Sequence, residues 1–470
     1  FWTALMDGLP EHARVYGVER TVCEPAGFEE FRIEESDSTP GGVPVMLPDL
    51  APCPECLEEM RDPFSRRYHY PFTNCTHCGP RYSIIETMPY DRAGTSMKGF
   101  RMCPECRREY QDVEDRRFHA QPIGCPSCGP SVKVLFSDGS ELGFGHGFDT
   151  PAAQVAWVLA DGLIVALLGV GGFQLLADAS SEAAVRRLRR LKERDAKPFA
   201  VMVSDEAAAE RLCRLSEEEK RLLASPAAPI VLARGRKDVD LAPSVCMFSR
   251  FVGIMLPSSP LHALLMDVWG RPLVVTSGNL SGEPLCISVE EGLEKLGHVA
   301  DVFLVHDRPV VRPVDDSVVR VADGRAMMVR RARGYAPRPV WRTSAAAPDV
   351  LALGAGLKNT ICWLKRGVAV MSQHLGDLSS AASLNAFERT VEALGRTLDA
   401  VPQVIAVDAH PDGPTFALGR RLARKWNAAV VPVQHHQAHV LACAVENETP
   451  FPALGIAWDG TGFGTDGTVW

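Results

Sequence analysis

The sequence has no long apolar run, no excess of positive charge and no secretory leader. No stretch reaches the roughly 18 apolar residues of a membrane-spanning helix, and the most apolar one, residues 163–177, is interrupted by three glycines and a glutamine. We therefore expect no membrane partner. With 50 basic and 58 acidic residues the net charge is −8, so nucleic acid is not the expected partner either. The chain starts at Phe1 rather than Met, which suggests a fragment or a processed chain.

The chain has instead the length and balance of a multidomain globular protein. Its 470 residues are enough for about three or four domains of ordinary size. With 46% apolar and 23% charged residues, the composition is that of a folded chain rather than a disordered one.

Cysteine is the most informative residue type. Eight of the 14 cysteines form four Cys-x2-Cys pairs, and the first two pairs recur 50 positions later as the last two. Arg67 and Arg117, like His69 and His119, share this offset. The segment is therefore an internal duplication. Its cysteines are Cys53, Cys56, Cys75, Cys78, Cys103, Cys106, Cys125 and Cys128.

The chemistry of the duplication favours structural zinc. Four thiolates close a tetrahedral site, and a Cys-x2-Cys turn brings two sulfurs to one ion. Each repeat has too few apolar residues to fold without a cross-link or a bound metal. Metal binding stabilises the folded form of such a repeat by roughly 10–16 kcal/mol. Because each repeat holds a complete set of four cysteines, we expect one zinc ion in each. Interleaved pairing, a disulfide framework and a redox role are the alternatives. Nothing points to an oxidising compartment, so we expect a cytoplasmic location.

Two segments further along predict an anion site. A strand over 163–168, a Gly-rich turn and a helix from about Ser181 lead to the cations Lys192, Arg194 and Lys197. A solvated basic face explains most arginines of this helix, but three cations at its end suit a phosphate or a carbonate-like anion. A second strand ends in Thr276-Ser277-Gly278-Asn279, a loop that offers N–H groups and hydroxyls to phosphate.

These residues carry a family resemblance. Lys192-x-Arg194 with Ser277-x-Asn279 resembles the signature of YrdC-type domains, which form carbamoyl- or threonylcarbamoyl-adenylates. The segments 257–262, 306–309, 315–318 and 330–335, preceded by the doubled four-Cys module, are similar to the HypF family of hydrogenase maturation carbamoyltransferases. Ser258 and Ser259 stand where that family's pattern has Tyr-Thr.

The last 120 residues extend the resemblance. Lys358 lies in a Gly-rich turn after the strand 351–353, and a second such turn spans 457–467. His435 and His439, four apart on an apolar helix, face one side and offer half a metal site, although such a pair is more often structural. Together these segments resemble the actin-like ATPase-fold domain shared with tRNA threonylcarbamoyl transferases. The resemblance implies iron or zinc at the two histidines, with the remaining carboxylate ligand beyond Trp470.

The resemblance implies a multidomain α/β protein. Its parts would be the end of an acylphosphatase-like domain (1–35), a double zinc finger (48–133), a YrdC-like domain (150–340) and the first lobe of the actin-like domain (349–470). Linkers are expected at 36–48, 134–150 and around 337–348. Most of the acylphosphatase-like domain and the second lobe of the last domain would be missing.

The implied reaction starts from carbamoyl phosphate and ATP with Mg, and proceeds through carbamoyl-adenylate. The carbamoyl group then passes to the C-terminal Cys of a HypE-type acceptor protein, towards the cyanide ligands of a nickel–iron hydrogenase. Lys192, Arg194, Ser277 and Asn279 would bind and orient the substrates. Further nucleotide contacts are expected at Lys197, Thr276, Ser317, Arg331, Lys358, Asp459, Gly460 and Gly462.

Two other functions compete with this hypothesis. A tRNA threonylcarbamoyl-adenylate synthase fused to its transferase explains the anion site and the histidine pair, but not the zinc module. A zinc-dependent chaperone or RNA-binding module explains the cysteines, but the acidic charge speaks against RNA. If pyrophosphate release depends on threonine, the tRNA-modifying enzyme is favoured over the hydrogenase maturation enzyme. If the chain does not bind ATP, the zinc-dependent binding module is favoured.

Overall fold

The computed structural model describes residues 2–9, 15, 18, 20–24, 27, 43, 45–143, 148–343 and 346–470. The chain separates into two units, 1–42 and 43–470. In the first unit, helix α1 (Trp2–Asp7) has the guanidinium of Arg20 5.4 Å from the ring centre of Trp2. The expected acylphosphatase-like segment and the first linker lie mostly outside the described residues, so they stay predictions.

The second unit begins with the duplicated cysteine module. Its helices α2 (Pro54–Arg61) and α3 (Pro104–Gln111) each start directly after the first cysteine of a repeat. Proline suits the first helical turn, because its missing N–H would have no helical partner there. His69 and His119 share a left-handed φ of 53°, so the duplication extends to the backbone. Two short 3-10 turns, Arg92–Gly94 and Ser96–Gly99, connect the repeats.

An 11-stranded mixed sheet follows, with the order β1-β9-β2-β3-β8-β4-β7-β6-β10-β11 and β5 beside β6. Its strands are β1 (Val132–Phe136), β2 (Val165–Leu168), β3 (Phe173–Asp178), β4 (Ala200–Met202), β5 (Cys213–Arg214), β6 (Ile230–Gly235), β7 (Phe251–Met255), β8 (Leu273–Ser277), β9 (Val302–His306), β10 (Val318–Ala322) and β11 (Arg325–Arg330). Its helices are α4 (Pro151–Ala160), α5 (Glu182–Leu191), α6 (Glu206–Leu212), α7 (Glu217–Leu223), α8 (Pro243–Cys246), α9 (Pro260–Trp269) and α10 (Val289–Leu296).

The central strands of this sheet are buried on both faces. Along β2, Ala166 and Leu168 enter one apolar cluster, whereas Val165 and Leu167 enter another on the opposite face. Helices α4 and α9 cover the second face, and α5, α6, α7 and α10 contribute to the first. A strand covered on both sides has no polar face, which is why β2 is a continuous apolar run in the sequence.

A second, six-stranded sheet has the order β12-β15-β14-β13-β16-β17. Strands β13, β16 and β17 are parallel, so their carboxyl ends share one edge. Its elements are β12 (Pro339–Arg342), β13 (Val350–Ala352), β14 (Cys362–Lys365), β15 (Val368–Met371), α11 (Ala381–Thr397), β16 (Val404–Asp408), α12 (Pro414–Trp426), β17 (Ala429–Val433) and α13 (His435–Glu446).

Two strands lie where the sequence suggested linkers. Strand β1 belongs to the first sheet, which therefore begins at Val132 rather than near residue 150. Strand β12 belongs to the second sheet, within the expected third linker. Proline and glycine marked these stretches as irregular, but short edge strands tolerate both.

The module and the two sheets meet in one buried junction. Arg312 donates to the carbonyls of Tyr82 and Ile85 in the module and to the hydroxyl of Thr397 on α11. The Tyr82 hydroxyl donates to Gln373 at 2.7 Å. The cysteine module is thus a fixed part of the core. Among the described residues, no helix combines the length and apolarity that a bilayer crossing requires.

Candidate active site and metal centres

The structure groups the eight cysteines by repeat. Sulfurs held tetrahedrally at about 2.3 Å from one zinc lie about 3.8 Å apart, and the measured separations agree. They are 3.6 Å for Cys53–Cys75, 3.8 Å for Cys75–Cys78, 3.5 Å for Cys56–Cys78, 3.8 Å for Cys103–Cys125, 3.7 Å for Cys125–Cys128 and 3.6 Å for Cys106–Cys128. None of the 14 cysteines forms a disulfide, which contradicts the disulfide alternative. The two clusters fit two structural zinc ions with sequential pairing.

Arginines of the first repeat reach into the second. Arg67 is 1% exposed; it donates to the Glu109 carboxylate at 2.5 Å and to the Gly124 carbonyl at 2.9 Å. Its neighbour Arg66 donates to the sulfur of Cys106 at 3.2 Å and pairs with Glu109. A cation that donates to a zinc-binding sulfur stabilises the thiolate form.

Arginines of the second repeat make the equivalent contacts with the first. Arg116 donates to the sulfur of Cys56 at 3.0 Å, and Arg117 donates to the Asn74 carbonyl at 2.9 Å. Both pair with Glu59. Each partner is displaced by 50 positions from its counterpart, so the two repeats exchange arginines about an approximate twofold axis. The shared offset of Arg67 and Arg117 is visible in the sequence, whereas this exchange is visible only in the structure.

At the predicted anion site, three of the four signature residues are in contact. The Lys192 ammonium donates to the carbonyls of Ser277 (2.5 Å) and Asn279 (2.7 Å) and to the Asn279 side-chain oxygen (3.1 Å). The Ser277 hydroxyl donates to the same side-chain oxygen at 2.6 Å. Burial and the charge of Arg194 lower the pKa of Lys192 to about 7. In this structure Lys192 therefore fixes the shape of the loop after β8 rather than presenting a free cation.

Arg194 lies beside this contact. Its guanidinium donates to the carbonyls of Lys197 (3.1 Å) and Pro198 (2.7 Å), which stabilises the exit from α5. Burial, with the charges of Arg189 and Arg330, lowers the pKa of Arg194 to about 10. Lys197 itself is exposed.

The other residues predicted to contact nucleotide near this loop are mostly buried or bonded to the chain itself. Thr276 is buried in β8. The fully buried Ser317 donates to the Arg333 carbonyl at 2.7 Å and accepts from the Ala332 N–H at 2.8 Å. Arg331 donates to two carbonyls of the segment that follows it. Ser317 and Arg331 therefore hold the loop before β12 in place.

A buried polar chain that sequence analysis missed borders the same site. His262 lies 2.8 Å from the Gln174 oxygen through Nε2 and 3.2 Å from the Ser258 hydroxyl through Nδ1. Gln174 donates to Asp316 at 2.7 Å, and Arg333 donates to that carboxylate through two nitrogens. Because Asp316 only accepts, Gln174 must present its oxygen to His262, so Nε2 carries the proton and Nδ1 accepts from Ser258. Burial lowers the pKa of His262 to about 4, which keeps the ring neutral.

Ser277 and this polar chain line one cavity. Its wall also includes the turn 169–172 and Asp315. Gly171 is required there, because a Cβ would lie 2.2 Å from the Val314 carbonyl oxygen. The only sequence signal for His262 was its place in the segment 257–262.

The histidine pair lies at the shared edge of the second sheet. Nε2 of His435 is 2.7 Å and Nε2 of His439 is 3.2 Å from one carboxylate oxygen of Asp459. These three ligand atoms lie within 4.8 Å of one another, a set that fits a catalytic metal with an open position. Asp459 was predicted to contact nucleotide, but its carboxylate lies with the histidines.

Asp408 orients the first of these ligands. Its carboxylate accepts from Nδ1 of His435 at 2.5 Å, which leaves the Nε2 lone pair for a metal. Partial burial lowers the pKa of His435, but Asp408 and Asp459 outweigh this effect and raise it above its ordinary value.

The remaining predicted contacts surround this edge. Lys358 is exposed in a left-handed conformation (φ 47°), and its N–H donates to Asp377 at 2.7 Å. A Cβ at Gly462 would lie 2.4 Å from the ring of His436, so packing alone explains that glycine. Gly460 has open space around it.

Three family models match successive segments of the chain: the cysteine module, the first sheet and the second sheet. The HypF finger model matches 53–85 and 102–135, the Sua5/YciO/YrdC model (described as telomere recombination) matches 157–332, and the HypF Kae1-like domain model matches 345–446. Carbamoyltransferase HypF of Synechocystis is 47% identical over 94% of this chain and 57% of its own length. That of Rhizobium leguminosarum is 44% identical over 100% of this chain and 60% of its own. A crystal structure of full-length HypF in the phosphate- and nucleotide-bound form superposes with a TM-score of 0.93, at 42% identity, over 100% of this chain and 60% of that one.

The chain belongs to the HypF family. It spans about three fifths of the length of the curated HypF proteins that it matches. The matches confirm the predicted multidomain α/β architecture with a doubled finger, a YrdC-like domain and a Kae1-like domain. The predicted domain boundaries and individual roles of residues stay predictions.

Proposed function

We propose that this chain carries out the ATP-dependent steps of a HypF-type carbamoyltransferase in nickel–iron hydrogenase maturation. The observation that carries the proposal is the cavity in which Ser277, held with Asn279 by Lys192, faces the His262 chain. The chain is similar to HypF proteins over nearly its whole length, which supports carbamoyl phosphate as the source of the carbamoyl group.

The proposed reaction at this cavity is adenylation. A carboxylate oxygen of carbamate attacks the α-phosphorus of ATP, the bond to the β-phosphate oxygen breaks, and pyrophosphate leaves with Mg. The loop 276–279 lies beside the cavity in the conformation that Lys192 holds, and Arg194 adds positive charge near the proposed phosphate position.

The metal centre is proposed to serve transfer. His435, His439 and Asp459 would hold iron or zinc, and the ion would supply Lewis acidity to the carbamoyl carbonyl. The chain's own contribution is orientation, since Asp408 holds His435 in the required tautomer. The acceptor is proposed to be a HypE-type protein with a C-terminal Cys, and the reducing conditions that the free thiols need suit a cytoplasmic location.

Pyrophosphate release tests the adenylation step. With ATP and carbamate the chain should release pyrophosphate, and Lys192→Ala should lower the rate by about 10²-fold, because the loop 277–279 loses its buried support. Lys220→Ala removes a surface lysine paired with Glu210 and serves as the matched control. Equal rates in Lys192→Ala and the control would contradict the proposal. A strict requirement for threonine would favour the tRNA-modifying rival.

A further inference from the structure

Part of the first sheet has a face that is open to solvent. On the face that α4 and α9 cover, the buried apolar cluster includes Ile230 of β6 and Met255 of β7. Four residues along each strand, on the same face because side chains alternate, Arg234 and Phe251 are exposed and lie opposite each other. The guanidinium of Arg320, on β10, lies 4.9 Å from the ring centre of Phe251. This face is therefore buried at one end of β6 and β7 and open at the other.

Strand pairing identifies the other side chains of the open face. Arg214 of β5 lies opposite Arg234, and Met327 of β11 lies opposite Arg320. Residues two apart on a strand share a face, which adds Arg325. All of these side chains are exposed. The resulting surface, called the arginine face below, consists of Arg214, Arg234, Phe251, Arg320, Arg325 and Met327.

The arginine face carries four positive charges and no negative one. Its strands, β5, β6, β7, β10 and β11, contain neither aspartate nor glutamate. None of its four arginines forms an ion pair with a described residue, whereas Arg186 and Arg187 of α5 are both paired with carboxylates. Arg214 and Arg234 lie directly opposite each other, an arrangement of like charges that destabilises a sheet. An anionic surface laid over this face would remove that repulsion.

Apolar side chains and an open strand edge favour a protein segment over nucleic acid. Met327 is 47% and Phe251 38% exposed, and Arg, Met and aromatic residues are enriched in protein interfaces. Strand β11 is the last in the sheet order, so an extended segment can add to its outer edge through main-chain hydrogen bonds. Single-stranded nucleic acid stacks its bases on open aromatic rings, but the ring of Phe251 already has Arg320 over it.

We propose that the arginine face is a docking surface for an acidic, partly apolar segment of another protein, which adds to the outer edge of β11. Carboxylates of the segment would pair with the four arginines, and its apolar side chains would cover Met327 and Phe251. The inference goes beyond the proposed function, because no residue of the arginine face lines the adenylation cavity or belongs to the metal centre.

Fluorescence anisotropy tests this surface directly. The full chain, loaded with zinc and without ATP, is titrated into a short labelled peptide of alternating glutamate and valine. We expect binding that weakens as salt is added, and no binding of the peptide in which lysine replaces glutamate. Arg234→Glu combined with Arg320→Glu should lower the affinity about tenfold or more.

The matched control changes the net charge equally at a distant place. It combines Arg389→Glu on α11 with Arg424→Glu on α12, since both arginines are exposed and neither forms an ion pair with a described residue. The control should bind the acidic peptide as the wild type does. Absence of binding by the wild type, or an equal loss in both double variants, would overturn the proposal.

Two further measurements distinguish docking of a protein segment from simple charge attraction. Met327→Gln keeps every charge but removes an apolar contact, so it should weaken binding about threefold or more, and unchanged affinity would contradict the proposal. Labelled oligouridine is the second probe. If it binds more tightly than the acidic peptide, and the double variant of Arg234 and Arg320 abolishes this, the surface is a nucleic-acid site and the proposal fails.

The outcome does not depend on the proposed function. Pyrophosphate release should be the same in the wild type and in the variants of the arginine face, and its absence from all of them leaves the binding test intact. If the double glutamate variant does not fold, as judged by thermal unfolding, Arg234→Gln with Arg320→Gln replaces it. This variant should fold, because Arg234→Gln relieves the repulsion from Arg214. Equal affinity of this variant and the wild type would also refute the docking surface.

Discussion

The exchange of arginines between the two cysteine repeats predicts that their zinc sites are coupled. We take Arg67→Met as the perturbation, because Arg67 is buried and bonds to both repeats. It donates to Glu59 of its own repeat at 3.1 Å and to Glu109 of the other at 2.5 Å, and its Nε donates to the Gly124 carbonyl. Methionine keeps much of the volume but leaves two carboxylates and one carbonyl without this donor.

The free-energy cost of Arg67→Met depends on which ion pairs Glu59 and Glu109 keep. Removing one member of a buried ion pair costs about 3–5 kcal/mol. Glu59 retains Arg116 and Arg117, and Glu109 retains Arg66, so each carboxylate keeps at least one cation. We therefore expect the lower end, about 3 kcal/mol, which corresponds to roughly a hundredfold change in an equilibrium constant. Arg117→Met should act similarly, and because the double variant leaves Glu59 with Arg116 alone, it should cost more than the sum of the two single changes.

Zinc release measures this coupling. The reduced wild type should hold two zinc ions per chain, and a chelating dye should extract both slowly. Arg67→Met should release both ions faster, by up to about a hundredfold if opening of the module limits release. Arg108→Met is the control, because Arg108 is exposed and only approaches Glu105 at 3.9 Å. Acceleration of one ion alone, or rates equal to the control, would refute coupling through the exchanged arginines.

Two further predictions concern the other sites. The pKa of His262 is about 4 against 6.5 ordinarily, so the unfolded chain takes up a proton below pH 6.5 that the folded chain refuses, and stability falls as pH falls. Between pH 6.5 and 5 this should cost about 1.5 kcal/mol, and His262→Gln should show a correspondingly smaller drop in Tm; an identical drop would contradict the neutral ring. Asp408→Asn should weaken metal binding at His435 and His439 by about 10–100-fold in equilibrium dialysis, and unchanged affinity would show that Asp408 does not orient the ligand.

The elements that the sequence predicted well are those with strong local signals. Ser181 caps α5, as expected from a serine ahead of the apolar spacing, and its side chain accepts from the Ala184 N–H. The strand that leads into the loop 276–279 is β8, whose apolar residues Leu273–Val275 are buried. The cysteine pairing could be predicted because each repeat contains a complete ligand set. In each case the deciding interactions span few residues or repeat within the sequence.

The direction of long polar side chains could not be predicted. A cation at the end of α5 suggested an anion ligand, but the ammonium of Lys192 turns to the backbone of a loop 85 residues away. Ser317 suggested a nucleotide contact, but it closes a bond with the backbone of Arg333, 16 residues on. Composition shows that a polar group is present, whereas its partner depends on which segments the sheet brings together.

The metal centre shows how strand pairing completes a site that the sequence contains only in part. The i, i+4 spacing on α13 identified His435 and His439 as one face, but it gave no indication of Asp408, which is 27 residues away from His435. Asp408 is the last residue of β16 and pairs in parallel with Val433 of β17, two positions before His435. Because both strands run the same way, the residue that ends one strand must lie beside the residues that follow the other. A one-residue slip in this register would turn Asp408 to the opposite face of the sheet and leave Nδ1 of His435 without its acceptor. The register of β16 and β17 therefore determines which nitrogen of His435 is available to a metal.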